Sequence, residues 1–226
     1  MHLRGGYDES LNLGESALAI WRDRFGENDG QTLWLAVEVS WALYRSGRFE
    51  DATELIEDAL ARLREHHGES HDVYLRGASA YGRTLRGLGR YQEAYDHDIQ
   101  LLSLFERHMR PEHIGTMNLR SNIAIDLRCL GRYQEALELD QDTLEMRERL
   151  FGPVHTYTFN SRFAIARDLR KLGRYEESLD LLRELTAMAQ SKDEPWHALR
   201  LLMSADLAVA LRRVGYHQDA REQGET

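Results

Sequence analysis

A glycine recurs every 42 residues along this chain, six times in all, with no insertion or deletion between copies. The four full copies read Gly47-Arg48-Phe49, Gly89-Arg90-Tyr91, Gly131-Arg132-Tyr133 and Gly173-Arg174-Tyr175, and Gly5-Gly6-Tyr7 and Gly215-Tyr216-His217 are weaker ones. Five residues after each glycine stands a small residue: Ser10, Ala52, Ala94, Ala136, Ser178 and Ala220. Seven residues before each later glycine stands another: Ser40, Gly82, Ala124, Ala166 and Ala208. A strict long period means one supersecondary unit stacked on copies of itself.

The unit is a pair of helices. Glycine takes the left-handed conformation that ends a helix, so each one closes a first-type helix and a second-type helix starts two or three residues on. Before Gly131, Ile123, Leu127 and Leu130 fall at helical spacing; after it, Ala136, Leu137, Leu139 and Leu144 do the same. The small residues let the paired helices approach closely, and the aromatic after the glycine fills the wedge beside them. One pair cannot bury its apolar faces alone, so the pairs must stack. Composition agrees: 42% apolar, 30% charged and three prolines (Pro111, Pro153, Pro195) favour helix throughout. No apolar run approaches the roughly 20 residues of a membrane span, and Met1 to Gly6 lack the pattern of a signal peptide. A single cysteine, Cys129, excludes an internal disulfide and suits a reducing cytoplasm. A net charge of -9 argues against a nucleic-acid partner.

The pattern of a small residue, Gly-x-Tyr and then Ala resembles the tetratricopeptide repeat and covers nearly the whole chain. The 42-residue length is similar to the kinesin-light-chain-like subclass, whose Gly-Pro-x-His linker, Thr and Asn-x-Ala run are matched by Gly152-Pro153-Val154-His155, Thr158 and Asn122-Ile123-Ala124. The stretch Leu130 to Asp140 further resembles bacterial tetratricopeptide proteins of the FxSxx-COOH type. The resemblance implies an all-α, right-handed superhelical solenoid of antiparallel helix pairs. As one array it divides into a partial repeat 1–30, repeats 31–72, 73–114, 115–156 and 157–198, and a partial repeat 199–226. With a second-type helix (about residues 7 to 22) opening the chain and only a stub after Gly215, it reads as a fragment of a longer protein, since solenoids normally end in polar caps. In the resembling families such arrays follow a nucleotide-binding or signalling domain.

No phosphate-cradling glycine loop, Gly-x-Ser-x-Gly or His-Glu-x-x-His motif occurs, so no catalysis and no cofactor is expected. His71, His113, His155 and His197 share one register near the starts of first-type helices. Equivalent residues of adjacent repeats lie a helix layer apart, roughly 8–10 Å, too far to share a zinc ion. A linker hydrogen bond is the structural reading, and for His66, His67 and His71 together a polar helix end.

In the family the first-type helices line a concave groove, exposing positions 13, 10, 6, 3 and 2 residues before each glycine. Carried onto this chain, the stripe holds 25 residues, of which ten are basic and none acidic in a chain with more acids than bases. The candidate peptide-binding set is Trp34, Trp41, Tyr44, Arg76, Arg83, Arg86, Asn118, Arg128, Asn160, Arg167, Arg170 and Arg212. Arginine's planar fork binds carboxylates two bonds at a time, asparagine serves a peptide backbone, and the tryptophans and Tyr44 offer an apolar anchor. The competing reading is structural. Arg86, Arg128, Arg170 and Arg212 stand at helix C-termini, where cations are favoured, and Asp98 or Asp140 are at hand to pair with them. Helix-end preference does not explain Arg76, Arg83 and Arg167, a turn or more earlier. The expected function is a scaffold holding an acidic segment or a C-terminal carboxylate of a partner protein. A sensor module gating an attached domain, or an oligomerisation scaffold joined through open ends, are the alternatives.

Overall fold

The computed structural model describes residues 2–110, 112–190, 197–217 and 219, and the side chains of 11–110, 112–189, 203–217 and 219. Within them stand ten α-helices and no strand. The first-type helices are α2 (Gly30–Ser46), α4 (Asp72–Gly87), α6 (Ile114–Cys129), α8 (Thr156–Lys171) and α10 (His197–Val214). The second-type helices are α1 (His2–Phe25), α3 (Phe49–His66), α5 (Tyr91–His108), α7 (Tyr133–Phe151) and α9 (Tyr175–Gln190).

Helix ends follow the period. The repeat glycines have positive φ, 84° at Gly47 and 75° to 101° at the later copies, and end each first-type helix within two residues. The next N–H then reaches back five residues: Arg48 to Leu43 (3.0 Å), Arg90 to Leu85 (2.9 Å), Arg132 to Leu127 (2.8 Å), Arg174 to Leu169 (2.9 Å). This is the Schellman closure, open to glycine because it lacks a Cβ. Gly5-Gly6 does not act this way. It lies inside α1, which runs unbroken from His2, so that copy of the motif ends no helix. Of the expected stub after Gly215, most lies outside the described residues.

Helix starts use two devices. Asp29 caps α2, accepting from the N–H groups of Gln31 (3.0 Å) and Thr32 (3.2 Å). In the same register His71, His113 and His155 accept through Nδ1 from Val73, Gly115 and Tyr157, at 3.3, 3.1 and 3.2 Å. The histidine register is therefore a column of N-caps. The side chain of His197 lies outside the described residues. At the second-type helices the arginine of the motif grips an acid three residues on: Arg48–Asp51, Arg90–Glu93, Arg132–Glu135 and Arg174–Glu177, each at 2.5 to 2.6 Å.

The chain forms two compact units, residues 1–126 and 127–226. In the first, Leu33, Leu43, Ile56, Leu63, Leu75, Leu85, Phe105 and Ile123 are buried about the helix pairs. In the second, Phe159, Leu179, Leu182, Leu185, Met203, Leu207 and Leu211 form one cluster, and Leu137, Ile165 and Leu169 another. The small positions are sealed: Ala52, Ala94, Ala136 and Ser178 are fully buried, as are Ser40, Ala124 and Ala166. At Gly82 the reason is specific, because a Cβ there would overlap the carboxylate of Asp98 on the facing helix. No described helix is long and apolar enough to cross a membrane.

Candidate peptide groove and buried charge clusters

In the first unit α2, α4, the start of α6 and the end of α5 enclose a cleft of about 490 Å³. Its apolar lining comes from Val37, Leu75, Phe105, Met109, Ile114 and Leu119, and its polar lining includes Ser79, Asn118 and Asn122. Four of the sequence-selected residues meet here: Trp41, Arg76, Arg83 and Asn118. Tyr44 stands behind them, its ring stacked on Trp41 with centroids 5.2 Å apart and 5.4 Å from Phe49. Trp34 is 40% exposed and faces a separate cleft of about 550 Å³ with Trp21, Asp29, Gln31, His71 and Val73.

Arg83 is the unusual group. Its guanidinium lies over the Trp41 ring, 4.8 Å from the centroid. Its Nε is buried with no hydrogen-bond partner, and it makes no ion pair among the described residues. Burial lowers its pKa, and nearby Arg86 adds to that, while Asp98 opposes. A half-desolvated cation on an aromatic stack, with no direct ion-pair partner among the described residues, favours an incoming anion.

The arginines three residues before the glycines are placed differently. Arg86 donates through Nη1 to Asp98 (3.2 Å) and Asp126 (2.7 Å), both carboxylates being fully buried and the arginine side chain 9% exposed. In the second unit Arg128 donates through Nη1 to Asp140 (2.6 Å) and Asp168 (3.0 Å). Burial raises all four carboxyl pKa values, Asp98 to about 6 and Asp126 and Asp168 each to about 7, against the pull of the arginine. Arg170 pairs with Asp206 at 2.8 Å. The expected column of arginines open to a ligand is therefore corrected: Arg86 and Arg128 are consumed by buried aspartates, and Arg170 is ion-paired. A helix C-terminus facing the next pair is a buried seam, where an arginine lasts only with partners.

A second correction concerns acid. Glu38 and Asp72 both line the cleft, and Asp72 reaches Arg76 at 3.4 Å, so this groove is not free of carboxylates. The five-position stripe was narrower than the helix face that borders the cleft. In the second unit Asn160, Arg167 and Arg212 are exposed, and Arg167 lies 3.8 Å from Asp206. Asp126 and Asp168 were missed by sequence reasoning. The signal was present as an acid 40 residues after each of two arginines, matching the acid 12 residues after it. Phe105 and Met109, at the end of a second-type helix, carried no such signal. Among the described residues no group of three or more His, Cys, Asp or Glu is placed to hold a metal.

Helix pairs repeated at a fixed period define a helical-repeat protein. The tetratricopeptide repeat family matches residues 1–65, 73–149 and 115–191, and the chain belongs to that family. No curated protein matches it. Among solved structures, a Podosopora anserina protein of nearly identical tetratricopeptide-like repeats, described as a kinesin light chain, is 24% identical with a TM-score of 0.70, covering 84% of this chain and 90% of that one. BtubC (BKLC) from P. vanneervenii is 15% identical with a TM-score of 0.78, covering 96% and 87%. A Rap protein complexed with competence and sporulation factor is 14% identical with a TM-score of 0.74, covering 96% of this chain and 56% of that protein. These likenesses are of fold.

Proposed function

We propose that this chain is a non-catalytic protein-binding module, and that the cleft of its first unit holds an acidic segment or the C-terminal carboxylate of a partner. The observation that carries this is Arg83: a cation in a ligand-sized cleft, stacked on Trp41, with a buried Nε that has no hydrogen-bond partner. A partner carboxylate would meet Arg83, its backbone amides would meet Ser79, Asn118 and Asn122, and an apolar side chain would rest on Val37, Leu75 and Ile114. Arg76, already beside Asp72, sets orientation at the rim. Trp34 extends the apolar surface.

The test compares wild type with Arg83→Gln for binding of short acidic peptides. Affinity should fall at least tenfold while the thermal midpoint moves little, since only the stack on Trp41 and no ion pair is lost. Binding should also weaken with salt, because exposed charges are screened over about 8–10 Å. Equal affinity of the two proteins would sink the groove reading.

Oligomerisation is a second reading with its own observation. On α1, Leu13 is 73% and Ile20 62% exposed, two apolar residues seven apart on one face and suited to burial against another surface. Sedimentation over a range of concentrations tests it, and a monomer throughout would count against it.

A further inference from the structure

The Arg86 cluster has an unbalanced composition for a buried site. One guanidinium faces two fully buried carboxylates, so the ionised cluster carries a net charge of one negative unit out of contact with water. Asp98 Oδ1 and Asp126 Oδ2 find no donor among the described residues. An ionised carboxylate only accepts, and two orphaned acceptors in a dry cluster are costly. A proton held between them turns one into a donor and removes both the excess charge and the orphans. Burial pushes both groups in that direction, Asp98 to about 6 and Asp126 to about 7. Arg83 stands one helical turn from Arg86 on α4 and senses both Arg86 and Asp98.

We propose that the buried Arg86–Asp98–Asp126 cluster regulates anion binding at Arg83, taking up a proton as a ligand carboxylate arrives. This rests on the reading of the cleft as a carboxylate-binding groove. Ionised, the cluster draws field from Arg83 and repels an incoming carboxylate. With one proton it is neutral, and with two it is positive. Affinity for the carboxylate therefore rises as pH falls, and by reciprocity the bound carboxylate draws protons into the cluster. The ligand's own carboxylate, titrating near 4, stays ionised across that range.

Other charged groups face the same region from each packed element. Glu38 and Tyr44 come from α2, Arg64 from α3, the Asp72–Arg76 pair from α4 itself, and His97 from α5. His97 is the rival source of pH dependence. It bonds to the carbonyl of Ala78 at 2.8 Å, and burial lowers its pKa, keeping it neutral to more acid pH than an ordinary histidine.

The experiment is calorimetric titration of the full chain with N-acetyl-Ala-Ala-Leu bearing a free carboxylate, with its C-terminal amide as control. Between about pH 8 and about pH 5.5 the wild-type affinity should tighten about three- to tenfold, the scale for a unit charge changing within about 10 Å of a partly screened contact. Titrations in buffers of different ionisation enthalpy should show net proton uptake near pH 6.5. Asp126→Asn leaves Asp98 alone against Arg86, so the cluster is already neutral at about pH 8. That variant should bind at about pH 8 as tightly as wild type does at low pH, with little further change. If it does not fold, the wild-type proton count decides, and zero uptake overturns the proposal. A variant that keeps the full pH slope also overturns it and assigns the slope to His97. Binding that needs Arg83 but is flat with pH ends this proposal and leaves the groove reading standing. No binding at any pH ends both.

Discussion

Arg83 and Arg167 occupy the same repeat position, six residues before the glycine, one in each unit. Arg83 stacks on Trp41 and has no acid to pair with; Arg167 lies 6.0 Å from the Phe163 ring, is exposed, and has Asp206 3.8 Å away. Three residues further on, Arg86 and Arg128 do the opposite and repeat each other closely, each locked between two buried aspartates. What recurs from unit to unit serves the fold. What departs from the register, Arg83 on Trp41, is the group the proposed function rests on. An imbalance of basic residues along a predicted groove thus counts charges without counting their partners.

The comparison breaks most severely at the clusters. Arg86→Ala and Arg128→Ala each leave two buried carboxylates without a cation and should cost about 3–5 kcal/mol or prevent folding. The double reversal Arg128→Glu with Arg170→Glu should be worse. Urea melts decide it; an unmoved midpoint would show that these arginines are groove residues after all. Replacing Arg86, Asp98 and Asp126 together by Met, Leu and Leu should be far milder than Arg86→Ala, because no buried charge is left behind.

The register that made the fold legible also explains where the site was not. Glycine, the small positions and the histidine column repeat because each answers to its own helix pair, so helix ends and core positions could be read off the chain. The clusters are legible only in threes. Where arginine gives way to Tyr44, the aspartate positions are Ile56 and Thr84; at Arg170 they are Leu182 and Ala210. Asp98 and Asp140 were visible as partners, but the second acids come 40 residues on, from the next repeat. The cleft needed more still. Phe105, Met109 and Glu38 border it through packing of α5 and through the width of a helix face, which no single-helix stripe contains.

The next effect in size tests the small positions. Ala136 is fully buried, so Ala136→Trp should cost about 1–3 kcal/mol by overpacking, while Glu138→Ala, exposed on the same helix, should do little. Equal urea midpoints for the two would mean that the helix faces are wrongly assigned. Gly82→Ala belongs with the first, since its Cβ would displace Asp98 and with it the Arg86 cluster.

Smaller in stability, but sharper for function, is the pair Arg83→Gln and Arg167→Gln. Both should melt close to wild type. Only the first should lose most of its affinity for an acidic peptide, because only Arg83 lacks an acid of its own. If the two lose affinity alike, charge along the chain matters and the lack of an ion-pair partner at Arg83 does not.

The smallest effect is expected from the most regular feature. Arg90–Glu93, Arg132–Glu135 and Arg174–Glu177 repeat at the starts of α5, α7 and α9, yet all three pairs are exposed. Their repetition invites the view that they stabilise the fold as the clusters do, but water screens both partners and ordering two long side chains offsets the attraction. The hydrogen bond from arginine holds each glutamate below its ordinary value of 4.5. A carboxylate depressed in the folded state contributes above its unfolded pKa and loses that contribution as pH falls through the folded value. Glu135→Gln should therefore melt slightly below wild type at neutral pH, and the gap should close as pH drops below the ordinary glutamate range. Melting curves of the two proteins at neutral pH and near pH 3 make the measurement. A large gap at neutral pH would show that exposed repetition, too, carries the fold, and that burial was the wrong line to draw between the arginines that build this molecule and those that do not.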